Sequence, residues 1–278
     1  MKLSIQIGLL ALLLGISGCA SMLGPPSSTK HAGSVVDYLY PDAKAAPQLQ
    51  PEVTHLHPPV RVGVAFVPGC ACGDGGPSEA QKTKLLVQVK DSFSKYGYIG
   101  SIEIIPSSYV RAHGGFENLD QVSRMFNVEV IALVSYDQIQ FNDTNSLAVL
   151  YWTVVGAYII HGDKYDVQTL VDTSVFDIGS RKLLFRAPGS SEVKGAASMA
   201  GFSEHSRVAQ GEGYQKAIDQ MIPALHAELG NFKERIKSDA AFKVENKPGY
   251  SGAGDFGWFG LILTLSLCGV ARANRDQA

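Results

Sequence analysis

The sequence lacks the signatures that announce a catalyst. Its internal Gly-rich loop, Gly69 to Gly76, lacks the Gly-Lys-Ser/Thr of a phosphate loop and the GxGxxG spacing, so phosphate binding there is not expected. The chain has no nucleophile elbow and no HExxH, so the hydrolase and zinc-protease chemistries built on them are not expected. Charge of one sign is missing too: 24 Lys and Arg stand against 26 Asp and Glu. With no basic stripe, nucleic acid is not an expected partner. Cysteine is scarce, at Cys19, Cys70, Cys72 and Cys268. No apolar run reaches the ~20 residues of a comfortable transmembrane helix.

The two ends carry what is there. Lys2 precedes an apolar run from Leu3 to Leu14, which has the length of a secretory signal core. Small residues Ser17 and Gly18 then precede Cys19. Ile16-Ser17-Gly18-Cys19 resembles the bacterial lipobox at all four positions. That resemblance implies cleavage between Gly18 and Cys19 and a diacylglycerol on the Cys19 sulfur. The alternative is an ordinary signal peptide with a chance cysteine. Ala20, where Asp would signal inner-membrane retention, implies transport to the outer membrane.

Between the ends the chain divides by composition. Residues 19–59 are rich in Pro, Ser and Ala and read as a lipidated tether. Ser34 to Pro41 is an apolar island within it, either docked on the domain or a short contact element. A domain is expected over 60–238. A strand from Val60 to Val67 leads through a Gly-rich loop, Gly69 to Gly76, into a helix from Ser78 to Tyr96 with Ser78 as N-cap. Strand Tyr98–Ile105, helix Asn118–Phe126 and a strand at Val128–Val134, apolar on both faces, follow. The period then changes to two. Leu147–Ile160 and Tyr165–Ile178 read as strands around a turn at His161 to Lys164, and Arg181–Ala187 as the last of an antiparallel meander. A helix over Gly211–Ile236, bent at Pro223, closes the domain. The expected fold is a single mixed α/β (α+β) domain, β-α-β-α-β followed by the meander and a long helix. This order looks like periplasmic lipoproteins of the curli-secretion type.

A linker, 239–251, leads to a tail over 252–278. Gly252-Ala253-Gly254 precedes an apolar run from Phe256 to Val270, with Arg272 and Arg275 beyond it. The run is about 15 residues, roughly 23 Å as a helix, against a bilayer core of ~30 Å. The arginines favour a cytoplasmic end. A lipid bound for the outer membrane and a helix through the inner one do not coexist easily, so one anchor is expected to be transient. The tail resembles the GlyGly-CTERM sorting signal, whose protease is rhombosortase, although Ala253 displaces the second Gly. Lipobox and tail together look like the rhombotarget lipoprotein family. Tyr38-Leu39-Tyr40-Pro41, Trp152 to Tyr158 and Arg181 to Gly189 are similar to it as well. The resemblance implies processing at Gly252, Ala253 and Gly254 and a location at the outer membrane or cell surface. Its partners would be the membrane, lipoprotein-processing enzymes and a rhombosortase-type protease. A retained anchor, or a helix packed on the domain, is the alternative for the tail.

The remaining candidates are sparse. Cys70 and Cys72 sit just after a strand, where α/β sheets usually bind ligands. A strained local disulfide or a thiol pair is the expected state. A soft-metal site with His55 and His57, or a hydrolase or redox enzyme using this loop, is the alternative. Ser203-Glu204-His205-Ser206, Asp172-Thr173-Ser174 and His113 contain catalytic residue types without a supporting motif. Trp152–Ile160 reads as a buried strand in preference to a membrane-inserting hairpin. The expected protein has no catalytic residue, metal or cofactor. It is an exported lipoprotein that binds or assembles, with an oligomeric secretion-channel subunit as the alternative.

Overall fold

The computed structural model describes residues 27–41, 53–69, 76–144, 161–198 and 201–251. The lipobox, Cys19, Cys70, Cys72, Cys268, Trp152–Ile160 and the Gly252, Ala253 and Gly254 tail lie outside them. In chain order the elements are β1 (Ser27–Gly33), α1 (Val35–Leu39), β2 (Thr54–Leu56), β3 (Val60–Phe66), α2 (Glu79–Phe93) and β4 (Ile99–Ile104). There follow α3 (Gly115–Phe126), β5 (Val130–Thr144), β6 (His161–Asp177), β7 (Leu183–Ser198), α4 (Phe202–Ser238) and β8 (Phe242–Val244). The fold is mixed α+β, with a mixed sheet and a long C-terminal helix.

Alternation along the strands explains why helices cover both faces. Val64, Phe66, Ala132 and Val134 join one core cluster with Leu86 of α2 and Ile218 of α4. Their neighbours Ala65, Val67, Ile131 and Leu133 join another with Leu119 of α3 and Tyr38 and Leu39 of α1. A strand buried on both faces needs apolar residues at every position, as Val130–Val134 has. β3 pairs parallel with β4 on one side and with β5 on the other, and β5, β6 and β7 pair antiparallel. Ser78 caps α2 as expected. Its Oγ accepts from Gln81 N–H at 3.3 Å, and its own N–H donates to Gln81 Oε1 at 2.9 Å.

The structure corrects several boundaries. The N-terminal stretch is not all tether, because β1 pairs with the outer half of β5 from Ser27↔Asn142 to Gly33↔Tyr136. The Ser34–Pro41 island docks: the Tyr38 hydroxyl donates to Asn118 Oδ1 at 3.0 Å inside the α3 face. His161–Lys164 is not a turn but the start of β6, with Asp163 opposite Thr144. β5 therefore pairs directly with β6 over its whole length, and no further strand stands between them. β7 runs on to Ser198, and α4 begins at Phe202 and continues through Pro223. In the 239–251 linker, β8 pairs parallel with β2, and Lys247 Nζ donates to Glu129 Oε2 at 2.9 Å and to the Pro59 carbonyl at 3.0 Å.

Beyond Tyr136, the face of β5 beneath α4 turns polar yet stays buried. Gln138 Nε2 donates to Thr169 Oγ1 at 2.7 Å and to the Gln210 carbonyl at 3.0 Å. Gln210 Nε2 donates to Gln140 Oε1 at 2.7 Å, and Gln140 Nε2 to Asn142 Oδ1 at 2.6 Å. Buried amides need such partners, and Gln210 of α4 supplies two of them, although Gln138 Oε1 is buried without one.

Candidate functional site: an apolar chamber under the long helix

Short side chains on the sheet leave space that the helices do not fill. On the α4 face the inward positions of β3 are Val60, Val62 and Val64, and those of β5 are Val130 and Ala132. α2 contributes Val89 and Phe93, and α4 contributes Leu225, Leu229 and Phe232. Between them lies a cavity of about 150 Å³ whose exposed wall is wholly apolar. Its deep end is made by buried Val64, Val89, Ala132 and Leu225, and its rim by half-buried Val60, Tyr98, Leu229, Lys233 and Ile236. Leu56 and Val244, from β2 and β8, close another side.

One cation stands at the rim. Lys233 Nζ lies 5.2 Å from the centroid of the Tyr98 ring, a cation–π contact. Burial, with Tyr96 and Tyr250 nearby, pushes the Tyr98 phenol up to about 12. The ring is therefore neutral at physiological pH. The chamber can hold an apolar group and offer a positive charge at its entrance. No nucleophile faces it, and it lies at the opposite end of β3 from the Gly69–Gly76 loop.

Above the chamber, His226 joins α4 to α2. Its ring stacks on Phe93 at 4.2 Å, and the Tyr96 hydroxyl is 2.7 Å from Nδ1. Burial, then the Lys95 charge, holds its pKa below the ordinary imidazole value. A lowered folded-state pKa means that this contact contributes fully above the ordinary imidazole range and is lost as pH falls through the lowered value. We expect Tm to fall as pH drops below the ordinary imidazole value of about 6.5, and His226→Phe to flatten that part of the profile. Parallel thermal melts of the two proteins across that range check this, and identical slopes would remove the assignment. Glu129 titrates lower still. Burial opposes its charge, but hydrogen bonds and charges from Lys247 and Arg61 prevail and hold it below the usual carboxylate range.

A second, polar cleft of about 680 Å³ lies near β2, the end of α3 and the β6–β7 turn. Most of its charges are engaged locally, although Arg124 makes no ion pair among the described residues. Arg61 Nη2 donates to Glu129 Oε1 at 2.9 Å, Arg181 faces Asp120 at 3.4 Å, and Asp177 Oδ2 accepts from Ser180 N–H and Oγ. His55 and His57 stack at 6.4 Å on the exposed side of this region. Among the described residues, no group of three or more His, Cys, Asp or Glu is arranged for a metal ion.

The residue types singled out from sequence are dispersed. Asp172 pairs with Arg186 at 3.3 Å on the solvent side of β6. Thr173, on the opposite face, is buried and donates to Met221 Sδ at 2.8 Å. Ser203 to Ser206 form the first turn of α4. His113 Nδ1 lies 3.2 Å from the Asp37 carbonyl, linking the start of α3 to α1. No two of these groups share a site.

No family model matches the chain, and no curated protein matches its sequence. Solved structures similar to it include a neuraminyllactose-binding hemagglutinin homologue from Helicobacter pylori. The two share 9% identity at a TM-score of 0.40, over 72% of this chain and 99% of that one. Another is a PelC dodecamer from Paraburkholderia phytofirmans, at 10% identity and a TM-score of 0.25, over 72% and 99%. Likenesses this distant carry nothing about what the chain does.

Among the described residues no helix is long and apolar enough to cross a membrane. Sequence reasoning took the α4 stripe as a simple cover for the sheet and so missed Lys233 and Tyr98. The available signal was the run of valines at 60, 62 and 64 facing Val130 and Ala132, short side chains that leave room below the helices.

Proposed function

We propose that this chain is an exported lipoprotein of the bacterial envelope whose α+β domain works as a non-enzymatic binding or assembly module. A lipid on Cys19 holds it at the outer membrane or cell surface. A rhombosortase-type protease trims it near Gly252, Ala253 and Gly254. The binding role is carried by one observation, the wholly apolar chamber beneath α4 with a single cation at its rim. Such a concavity receives apolar groups, whereas a reacting site needs convergent polar ones. The envelope location is supported by the Leu3–Leu14 run and Ile16 to Cys19.

Cys19→Ser is expected to lose the lipid mass and to leave the outer-membrane fraction. Intact mass and cell fractionation read both. A native form with an unmodified Cys19, or one extending through Ala278, removes the corresponding half of the proposal.

A second reading is an oligomeric secretion-channel or assembly lipoprotein. Its support is the β5–β6 hairpin, which pairs without interruption out to Thr144 and Asp163 and connects through the apolar Leu147–Ile160 sequence. Planar-bilayer conductance by a native oligomer is its expected result, and a non-conducting monomer rejects it.

A further inference from the structure

We infer that the chamber beneath α4 is a fatty-acid site, with the alkyl chain among its valines and the carboxylate on the Lys233 ammonium. The inference rests on the binding-module reading and is independent of where the protein is anchored. Three features converge on this ligand. The wall is apolar throughout, so nothing inside would bond a polar ligand, and a polar group placed there would lose its water unrepaid. The volume, about 150 Å³, equals that of engineered cavities that stay dry and take up benzene, so a short alkyl chain fits. The third feature is charge. Among the described residues Lys233 pairs with no carboxylate, and its ammonium rests against the neutral Tyr98 ring. An anion at the rim would complete that cation, while the chain behind it fills the space between Ala132 and Leu229.

The arrangement also sets an order of contributions. Burial of the chain supplies most of the affinity, which should rise with each added CH₂ until the chamber is filled. The rim ion pair, half in water, adds selectivity for a carboxylate over an alcohol more than raw strength.

The full chain, purified in a detergent without a linear alkyl chain, is to be photolabelled with octanoate carrying a diazirine at its far end. Labelled peptides are expected from β3 and the Leu225–Ile236 part of α4, with excess octanoate suppressing the label at least fivefold. Octanol should compete more weakly than octanoate. Lys233→Gln should weaken competition by octanoate about tenfold and leave octanol unchanged. Ala132→Leu, which fills the deep end, should abolish labelling. Because a filled core can unfold, its melting curve is read alongside, and Lys233→Gln at the rim carries the test if Ala132→Leu does not fold. Labelling away from the chamber, or no suppressible label, overturns the site. Octanoate and octanol competing equally on the wild type, or weakening equally in Lys233→Gln, overturns the role of the cation. None of these outcomes bears on lipidation or tail trimming, so the two readings fail separately.

Discussion

Gly189→Val is expected to destabilise the domain by about 3 kcal/mol or more, through overpacking where β7 meets α4. A Cβ at Gly189 would sit on the Ala217 carbonyl oxygen and 2.7 Å from both Cβ and N of Met221. Those are atoms of the helix backbone or fixed to it, so no flexible side chain can move aside. The strand cannot retreat either, because Gly189 is paired with Val171 of β6. For a domain of this size the loss corresponds to a Tm lower by roughly 6–12 °C. Gly230, in the same helix, has nothing within 4 Å of its would-be Cβ. Gly230→Ala should therefore raise stability by up to about 1 kcal/mol through helix propensity alone. Thermal melts of the two variants should move in opposite directions. A Gly189→Val protein that melts with the wild type would show that the helix does not lie this close to β7.

Asn118→Leu should lose about 2 to 3 kcal/mol, and the damage should begin at the N-terminal segment. The Asn118 amide serves three partners. Its Oδ1 accepts from the Tyr38 hydroxyl at 3.0 Å and from Arg111 N–H at 2.9 Å, and its Nδ2 donates to the Tyr109 carbonyl at 3.2 Å. Leucine keeps the bulk and strands all three, and each stranded buried group costs about 1–3 kcal/mol less any water that reaches it. Tyr38 is the most exposed to this loss. Burial already raises its phenol well above the ordinary value, so it cannot ionise to recover a partner. Hydrogen exchange should show α1 and β1 losing protection before β3 and β5. Uniform loss across the domain would mean that Asn118 supports the core and not the docking of the N-terminal segment.

Local rules made some elements legible. α2 was readable because Ser78 and Gln81 form a capping box ahead of an apolar face, a signal contained in four residues. The central part of β5 was readable because burial on both faces leaves no polar position. β1 was not, since Ser27-Ser28-Thr29-Lys30 has the composition of a tether and becomes a strand only through its pairing with β5. The outer half of β5 was hidden for a related reason. Gln138 and Gln140 interrupt the apolar pattern, and their partners Thr169 and Gln210 lie far along the chain. The turn expected at His161 to Lys164 failed because glycine beside aspartate favours a turn locally, whereas pairing of Asp163 and Lys164 with β5, and of His161 with β7, makes this stretch the start of β6. The chamber could not be read from any one segment. It is the space left where short side chains of β3, β5 and β6 face two helices. The residues chosen from sequence for processing, Cys19 and Gly252 to Gly254, and the Cys70 and Cys72 pair lie outside the described residues.

The pairing of β1 sets the mechanics of attachment. Eight positions separate Cys19 from Ser27, a leash of at most about 27 Å when taut. Had the fold begun at Val60, the leash could have reached roughly 140 Å. The proposed lipid at Cys19 would thus keep the domain close to the bilayer surface, within reach of what that surface presents. Tension along the strand axis would load the β1–β5 rungs together in shear instead of peeling them singly. Such an anchorage would be short and would pass drag directly into the sheet.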